Sequence, residues 1–275
     1  LDRDSTVKGQ RLTARLTHMR TLLDLLLTCR PKQWIKNLFL FPPLIFGRRL
    51  FEADAADHLL NTAIAFALFT VAASSVYFMN DLRDRARDLA HPDKRNRPIA
   101  AGRLSPQLAV ATAVVLAIIG VGGAIWFHRV LGEIILGYVV LQVVYSFWLK
   151  SVVILDVMTI AIGFVLRVMA GASVTETWLS QWILACTFLL ALFLGFSKRR
   201  HELVLIGNSK GDSTDHRQVL AHYTPAFLDQ MIAVVTASTV MAYALYTMSP
   251  DTVANFKTHN LVYTTPFVLF GIFCY

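Results

Sequence analysis

The chain has 275 residues, of which 55% are hydrophobic and only 16% are charged, whereas about 25% are charged in an ordinary soluble domain. This small number of charged side chains cannot cover that much apolar surface in water. The composition therefore excludes a soluble protein and indicates a membrane protein. The net charge of +8 would suit either nucleic acid or a membrane surface, and the placement of the basic residues decides between these partners.

Long apolar runs predict membrane-spanning helices, each of which needs about 17–25 residues. A short first run at 34–50 is interrupted by Pro42 and Pro43, and an eighth run begins near 260 and is still apolar at Tyr275, so we expect further chain beyond it. Between them lie six full-length runs at 58–79, 106–127, 131–149, 152–172, 178–196 and 225–248. The sequence therefore predicts an all-α, polytopic bundle of membrane helices that forms one domain over residues 1–275.

Lysine and arginine are distributed unequally between alternate loops. One set of loops holds 21 of them and the other set holds four. The basic set comprises the N-terminal segment to Lys36, residues 80–105, Lys150 and residues 197–224. Because basic loops stay on the cytoplasmic side of a plasma (inner) membrane, we place residues 1–30 and the polar motifs of this set in the cytoplasm, and we exclude nucleic acid as a partner. Arg167 alone lies within a span, and we expect it to extend toward the far membrane surface.

The apolar run at 58–79 leads into a polar motif that contains three aspartates. If the helix continues, these aspartates, spaced i, i+3 and i+7, lie on one face. Carboxylates this close repel one another unless a cation lies between them, and Mg²⁺ typically bridges carboxylates to phosphate groups. The motif therefore predicts a magnesium–diphosphate site, with a solvated charged loop as the alternative. Its candidate residues are Asp81, Asp84 and Asp88 as metal ligands, Asn80 as the residue that orients a ligand or water, and Tyr77 beside the substrate.

Three basic segments lie on the same predicted side of the membrane. The segment 91–99 contains two prolines, which exclude a regular helix and fix its course, so its basic side chains would form a compact anion site. The segments 30–37 and 197–202 lie at the ends of predicted spans. Each segment would alternatively serve only to orient the chain in the membrane. The candidates for binding anionic substrate are Lys32, Lys36, Lys94, Arg95, Arg97, Lys198, Arg199 and Arg200.

The loop between the runs 131–149 and 152–172 adds three further candidates. Tyr145 offers a hydrogen-bond donor and Lys150 a cation. Asp156 lies six residues after Lys150, which places it about 9 Å inside the next helix. A carboxylate within the membrane is costly and usually faces a polar cavity or a partner, so we include Asp156 among the substrate-binding candidates.

The pattern Asn80-Asp81-x-x-Asp84-x-x-x-Asp88, followed two spans later by Tyr145 and Lys150, resembles the UbiA superfamily of membrane prenyltransferases. The resemblance covers nearly the whole chain in order and spacing. It implies a membrane transferase domain in which nine spans surround a cavity open to lipid, with eight spans visible in this sequence and a ninth beyond Tyr275. It also implies that Mg²⁺ is the cofactor.

One segment departs from the family pattern. Most members carry a second Asp-rich motif after the sixth span, whereas this chain has three basic residues at 198–200. With this segment and the segments 30–37 and 91–100, the chain resembles one branch of the family. Members of that branch transfer phosphoribose from phosphoribosyl diphosphate to a polyprenyl (decaprenyl) phosphate. The resemblance implies the same glycosyl transfer here, with release of diphosphate, for synthesis of a cell-wall arabinan precursor. A homo-oligomer is compatible with the sequence.

Two other functions are also compatible with parts of the sequence. A UbiA-type enzyme that transfers a prenyl group to an aromatic acceptor shares the first Asp motif, but it should also have the second motif. A membrane transporter would explain Asp156 within the membrane, but it does not require aspartates at metal-binding spacing.

Cysteine labelling in intact cells tests the predicted orientation. With Cys29, Cys186 and Cys274 replaced, we expect a cysteine at Asp251 to react with a membrane-impermeant reagent and a cysteine at Asn208 to remain unlabelled. The reason is the bias of 21 basic residues against four, which short loops translate into orientation. Labelling at Asn208 but not at Asp251 would contradict this orientation.

Overall fold

The computed structural model of this chain describes residues 19–208, 220 and 222–275. Within them, six helices are long and apolar enough to cross a membrane, and no strand is present among these residues. The predicted all-α class and the six full-length apolar runs are thereby confirmed. We label the helices in chain order as α1 (Ala55–Arg83), α2 (Pro106–Phe127), α3 (Arg129–Phe147), α4 (Leu155–Val174), α5 (Gln181–Asn208) and α6 (Pro225–Met248).

The starts of α2 and α6 follow from the local sequence. Each helix begins at a proline, which needs no hydrogen-bond partner for its nitrogen in the first turn. The preceding residues, Ser105 and Thr224, accept hydrogen bonds through their hydroxyl groups from backbone N–H groups of the first turn, at 3.2 Å in both cases. These caps satisfy groups that would otherwise lack partners.

Within the described residues, neither of the two shorter apolar runs forms a helix of full span length, whereas the sequence analysis counted eight spans. The run at 34–50 is divided into a 3₁₀ segment, Pro31–Leu40, and a short helix, Pro42–Phe46. Prolines lack the N–H group that a continuous helix would use, so the chain changes direction there. The run near 260 forms the apolar segment Asn260–Phe273, which is also shorter than a full span.

Loops of the basic set meet at one end of the bundle, which we call the aspartate end. There, Arg83 at the end of α1 donates to the carbonyl oxygen of Phe147 at 3.0 Å. The hydroxyl of Tyr223, just before α6, donates to Asp156 at the start of α4 at 2.7 Å. The charge pattern therefore grouped these loops correctly.

The remaining loops meet at the opposite end of the bundle. Arg49 donates to the carbonyl oxygen of Glu176 at 2.7 Å, and Arg48 donates to that of Asn255 at 3.0 Å. These contacts join the segment before α1, the loop between α4 and α5, and the segment after α6.

Close packing of α4 against the 3₁₀ segment depends on Gly171. A Cβ atom at this position would overlap the carbonyl oxygen of Leu40. Leu40 is fully buried and belongs to a core cluster that also contains Phe69, Leu131 and Ile135. The absence of a side chain at Gly171 therefore lets the segment that carries Asn37 pack directly on α4.

Substitution of Gly171 tests this contact. We expect Gly171→Ala to destabilise the protein by about 1–3 kcal/mol, because backbone has to move to accommodate the methyl group. The measurement is the thermal unfolding midpoint of the purified protein in detergent. Gly137→Ala in α3 is the matched control, since a Cβ atom there meets nothing within 4 Å and alanine favours helix. Equal midpoints for the two variants would contradict the close approach.

Candidate active site

A cavity of about 410 Å³ opens at the aspartate end, between α1, α3, α4, α5 and the loop segments. Among the described residues, its lining contains six cationic side chains and one carboxylate, that of Glu202. The cations are Arg30, Lys36, Lys94, Arg97, Arg167 and Lys198. Such a concentration of positive charge in a concave site favours an anionic ligand.

Asp81 and Asp88 lie beside this cavity and share one cation. Asp81 is 3% exposed and Asp88 is also buried. Arg97 Nη1 lies 3.2 Å from Asp81 Oδ1 and 2.6 Å from Asp88 Oδ2. Arg30 forms a second ion pair with Asp81, and its guanidinium lies 5.3 Å from the centroid of the Tyr77 ring. The two buried carboxylates are thus neutralised by arginines from two separate loop segments.

Asp84 faces a different partner. Helix α1 ends at Arg83, and a short helix, Arg85–Ala90, begins after Asp84. Lys150 Nζ lies 2.7 Å from Asp84 Oδ1. Burial lowers the pKa of Lys150, while the hydrogen bond and the charge of Asp84 act in the opposite direction. The expected single stripe of three aspartates is therefore divided, because the helix does not continue through Asp84.

The aspartates have the donor chemistry that Mg²⁺ prefers, namely carboxylate oxygens, with the Asn80 side chain in the adjoining cavity. Within the described residues, the ligand atoms of the three aspartates do not all lie within 4.8 Å of one another. Their oxygens are instead in contact with Arg30, Arg97 and Lys150. The residues present therefore fit a metal chemically, and binding would require these ion pairs to open.

Seven of the predicted site residues line the cavity: Lys36, Tyr77, Asn80, Lys94, Arg97, Tyr145 and Lys198. Asp81 and Asp88 adjoin it through Arg97, and Asp84 pairs with Lys150 behind it. The other five candidates are not among its lining residues: Lys32, Arg95, Asp156, Arg199 and Arg200.

Asp156 and Arg199 form a buried pair beside the cavity. Helix α4 begins at Leu155, so Asp156 lies in its first turn, and the predicted depth of about 9 Å is wrong because residues 152–154 are not helical. Arg199 Nε donates to Asp156 at 2.9 Å, and Arg199 Nη1 donates to Glu202 at 2.7 Å. Burial, reinforced by the hydrogen bond to Asp156, raises the pKa of Tyr223. Because Arg199 contacts both Asp156 and Glu202, its positive charge is already neutralised within the protein.

The sequence analysis expected Arg167 to extend toward the far membrane surface, and this expectation is wrong. It is only 4% exposed, and its Nη1 donates to the carbonyl oxygen of Gly163, one turn earlier, at 2.7 Å. Side chains on a helix point toward its N-terminus, which directs this long side chain into the cavity rather than outward. Its position as the one basic residue within a predicted span was the sequence signal that it faces a polar cavity.

Other lining residues were missed by the sequence analysis. Arg30 belongs to the basic segment 30–37 but was not among the candidates for binding anionic substrate. Tyr138, Gln142 and Phe164 sit within apolar helices and carry no motif. The missed residues on the lining are Arg30, Gln33, Val76, Tyr138, Gln142, Ser146, Ile160, Phe164, Arg167 and Glu202.

Residues 40–275 match the UbiA prenyltransferase family, and the chain belongs to this family of membrane enzymes. It is 36% identical over 223 residues to the decaprenyl-phosphate phosphoribosyltransferase of Mycolicibacterium smegmatis, which covers 81% of this chain and 69% of that protein. It is 37% identical over 223 residues to the protein of the same name from Corynebacterium glutamicum, which covers 79% and 65%. The chain thus spans about two thirds of the length of these relatives.

Solved structures show the same fold. A UbiA homologue from Archaeoglobus fulgidus bound to DMAPP and Mg²⁺ superposes with a TM-score of 0.69 at 19% identity, over 90% of this chain and 86% of that chain. The same homologue bound to GPP and Mg²⁺ gives a TM-score of 0.70 at 18% identity. With six apolar helices in this fold, the chain is a multi-pass membrane protein.

Substitution of Asp156 tests the buried ion pair. We expect Asp156→Asn to lower stability by about 3–5 kcal/mol, because it leaves the buried Arg199 with one carboxylate fewer. The readout is the unfolding midpoint in detergent. Asp229→Asn is the matched control, since its pair with Arg200 is largely exposed and such pairs contribute little. An unchanged midpoint for Asp156→Asn would show that the pair does not hold α4 to α5.

Proposed function

We propose that this protein transfers 5-phosphoribose from phosphoribosyl diphosphate to a polyprenyl (decaprenyl) phosphate and releases diphosphate. The observation that carries the proposal is the cavity lining, with six cations and one carboxylate among its described residues. A substrate pair with four phosphate groups supplies the negative charge that such a lining needs. The names of the relatives from Mycolicibacterium smegmatis and Corynebacterium glutamicum support the same reaction.

The diphosphate of the donor would lie at the aspartate end of the cavity. Asp81, Asp84 and Asp88 would hold Mg²⁺ there once their ion pairs open. The bound ion would neutralise charge that develops on the leaving diphosphate. Arg30 and Arg97, released from Asp81, would then be free to pair with phosphate oxygens, for which the guanidinium group is well shaped.

The reaction exchanges one bond at C1 of the ribose. The bond between C1 and the diphosphate oxygen breaks, and a bond forms between C1 and an oxygen of the polyprenyl phosphate. Positive charge develops on the ribose as the first bond stretches. The attacking phosphate is already ionised near neutral pH, so no side chain has to remove a proton. Lys94, Lys198 and the Tyr145 hydroxyl, all on the lining, would orient the two substrates, and such positioning lowers the barrier substantially.

Several features of the setting belong to the same proposal. The aspartate end would face the cytoplasm of a plasma membrane, since the described loops that meet there belong to the set of loops that is rich in lysine and arginine. The product would serve as a precursor of cell-wall arabinan. Assembly as a homo-oligomer is compatible with this arrangement.

A transfer assay tests the proposal directly. Purified protein in detergent would be incubated with radiolabelled phosphoribosyl diphosphate, polyprenyl phosphate and Mg²⁺, and the label extracted into organic solvent. We expect the label to enter the lipid fraction. A parallel reaction with radiolabelled prenyl diphosphate and an aromatic acceptor tests the alternative, which the DMAPP-bound homologue favours. Product in that reaction alone would overturn the proposal, and absence of product in both would favour a transporter.

Substitution of Asp81 tests the metal site. We expect Asp81→Asn to reduce turnover about 100-fold, because Mg²⁺ would lose one anionic ligand and would stabilise the leaving diphosphate less well. The variant should remain folded, since Arg30 and Arg97 are partly exposed to solvent, unlike Arg199, and Arg97 retains Asp88 as its partner. EDTA should abolish turnover in the wild type, and added Mg²⁺ should restore it. Asp229→Asn, outside the cavity lining, is the control, and full activity of Asp81→Asn at saturating Mg²⁺ would disprove the metal assignment.

A further inference from the structure

Arg167 is a buried cation whose bonded partners are all neutral. Its Nε donates to Asn37 Oδ1 at 2.8 Å, its Nη1 to the carbonyl oxygen of Gly163 at 2.7 Å, and its Nη2 to the Tyr138 hydroxyl at 3.0 Å. Within the described part of the chain, Arg167 forms no ion pair, because no carboxylate oxygen lies within 4.0 Å of its guanidinium nitrogens. A charged side chain inside a membrane span is costly and usually has a specific partner.

Aromatic rings surround the guanidinium but do not neutralise it. Its central carbon lies 4.8 Å from the centroid of the Tyr138 ring, 5.1 Å from that of Phe69 and 5.5 Å from that of Phe164. Cation–π contacts offset part of the cost of burial, yet the net charge remains. The contrast is Arg199, which is equally buried but paired with Asp156 and Glu202.

Arg167 has N–H donors that are not used by the described residues and could bind a phosphate group. A guanidinium group has five N–H donors, and its three bonds to described residues use one donor on each nitrogen. One N–H group therefore remains on each terminal nitrogen, and two N–H groups of a guanidinium can bind two oxygens of one phosphate. Arg167 also lines the cavity, together with Tyr138 and Phe164.

The site lies deeper than the aspartates. Gly163, whose carbonyl oxygen holds Arg167, is eight residues after the start of α4, which places it about 12 Å along the helix from the aspartate end. The cations near the aspartates come from loop segments, whereas Arg167 comes from the middle of a span. The cavity thus has two separated positions for negative charge.

We propose that Arg167 binds a phosphate monoester of a substrate at the deep end of the cavity, while the aspartate end holds the diphosphate. This rests on the proposed function, in which both substrates carry such a group. One is the 5-phosphate of the donor, and the other is the phosphate of the polyprenyl acceptor. Asn37 acts as a positioning residue, because its amide nitrogen donates to Thr70 at 2.9 Å and so directs its oxygen at Arg167.

Binding measurements on the full chain in detergent test the role of Arg167. The probes are ribose 5-phosphate, a short-chain polyprenyl phosphate and inorganic pyrophosphate. We expect Arg167→Gln to weaken one of the two monoesters about tenfold or more and to leave pyrophosphate unchanged. Loss of ribose 5-phosphate binding assigns Arg167 to the donor, and loss of polyprenyl phosphate binding assigns it to the acceptor. Arg129→Gln is the control, because Arg129 is exposed at the start of α3 and pairs with Glu133 outside the cavity lining, and it should not change the affinity for either monoester.

A second variant keeps the arginine in place and does not depend on the folding of Arg167→Gln. Asn37→Asp puts a carboxylate 2.8 Å from Arg167 Nε, so it should neutralise the guanidinium and weaken the same monoester, while the unfolding midpoint is kept or raised. A purely structural Arg167 predicts unchanged binding in this variant. Unchanged affinity for both monoesters, or an equal loss for pyrophosphate, overturns the inference. If the wild type transfers phosphoribose in that case, the proposed function still stands, whereas a wild type without transfer contradicts the proposed function itself.

Discussion

The ion pairs of Arg97 are the interaction on which the aspartate end depends. Two buried carboxylates at the end of a membrane helix cannot remain ionised without a cation between them, and Arg97 supplies it from a loop that contains two prolines. That loop is held in turn by apolar packing, because the adjacent Ile99 is fully buried beside Phe78 and Leu104. The backbone of Pro98 also accepts hydrogen bonds from Arg103 and Leu104 at 2.9 and 3.1 Å. Charge neutralisation and apolar burial therefore close the same loop over the site.

Helical geometry explains why three consecutive basic residues have different roles. Successive side chains on a helix point about 100° apart, so Lys198, Arg199 and Arg200 leave α5 in three directions. Lys198 lines the cavity, Arg199 is buried against Asp156, and Arg200 pairs with Asp229 at the surface. The basic segment at 198–200 thus contributes one cation to the cavity, one structural ion pair and one surface contact.

The distinctive property of this site is the positive charge of the cavity lining and not the fold, which solved homologues share. The same scaffold in the Archaeoglobus fulgidus homologue holds prenyl diphosphates with Mg²⁺, and one fold commonly supports several reactions through changes in its site. Here cations reach the cavity both from loops, through Arg30, Lys94 and Arg97, and from the interior of α4, through Arg167. Positive charge at two depths is a property that suits substrates with separated phosphate groups.

The sequence alone determined the membrane class, the six spans, the grouping of loops by end and the location of the aspartate motif. These properties depend on local composition and on charge, which are readable without contacts. Only the tertiary structure decided which basic residues face the cavity, because a cation that binds substrate and one that is already neutralised look alike in sequence. Arg199 is paired with Asp156 and Glu202 and is not on the cavity lining. Arg167 is on the lining because its side chain extends toward the N-terminus of α4, where its partners are neutral. The net charge available to a ligand is set by pairing across helices, and pairing across helices is a property of the folded chain.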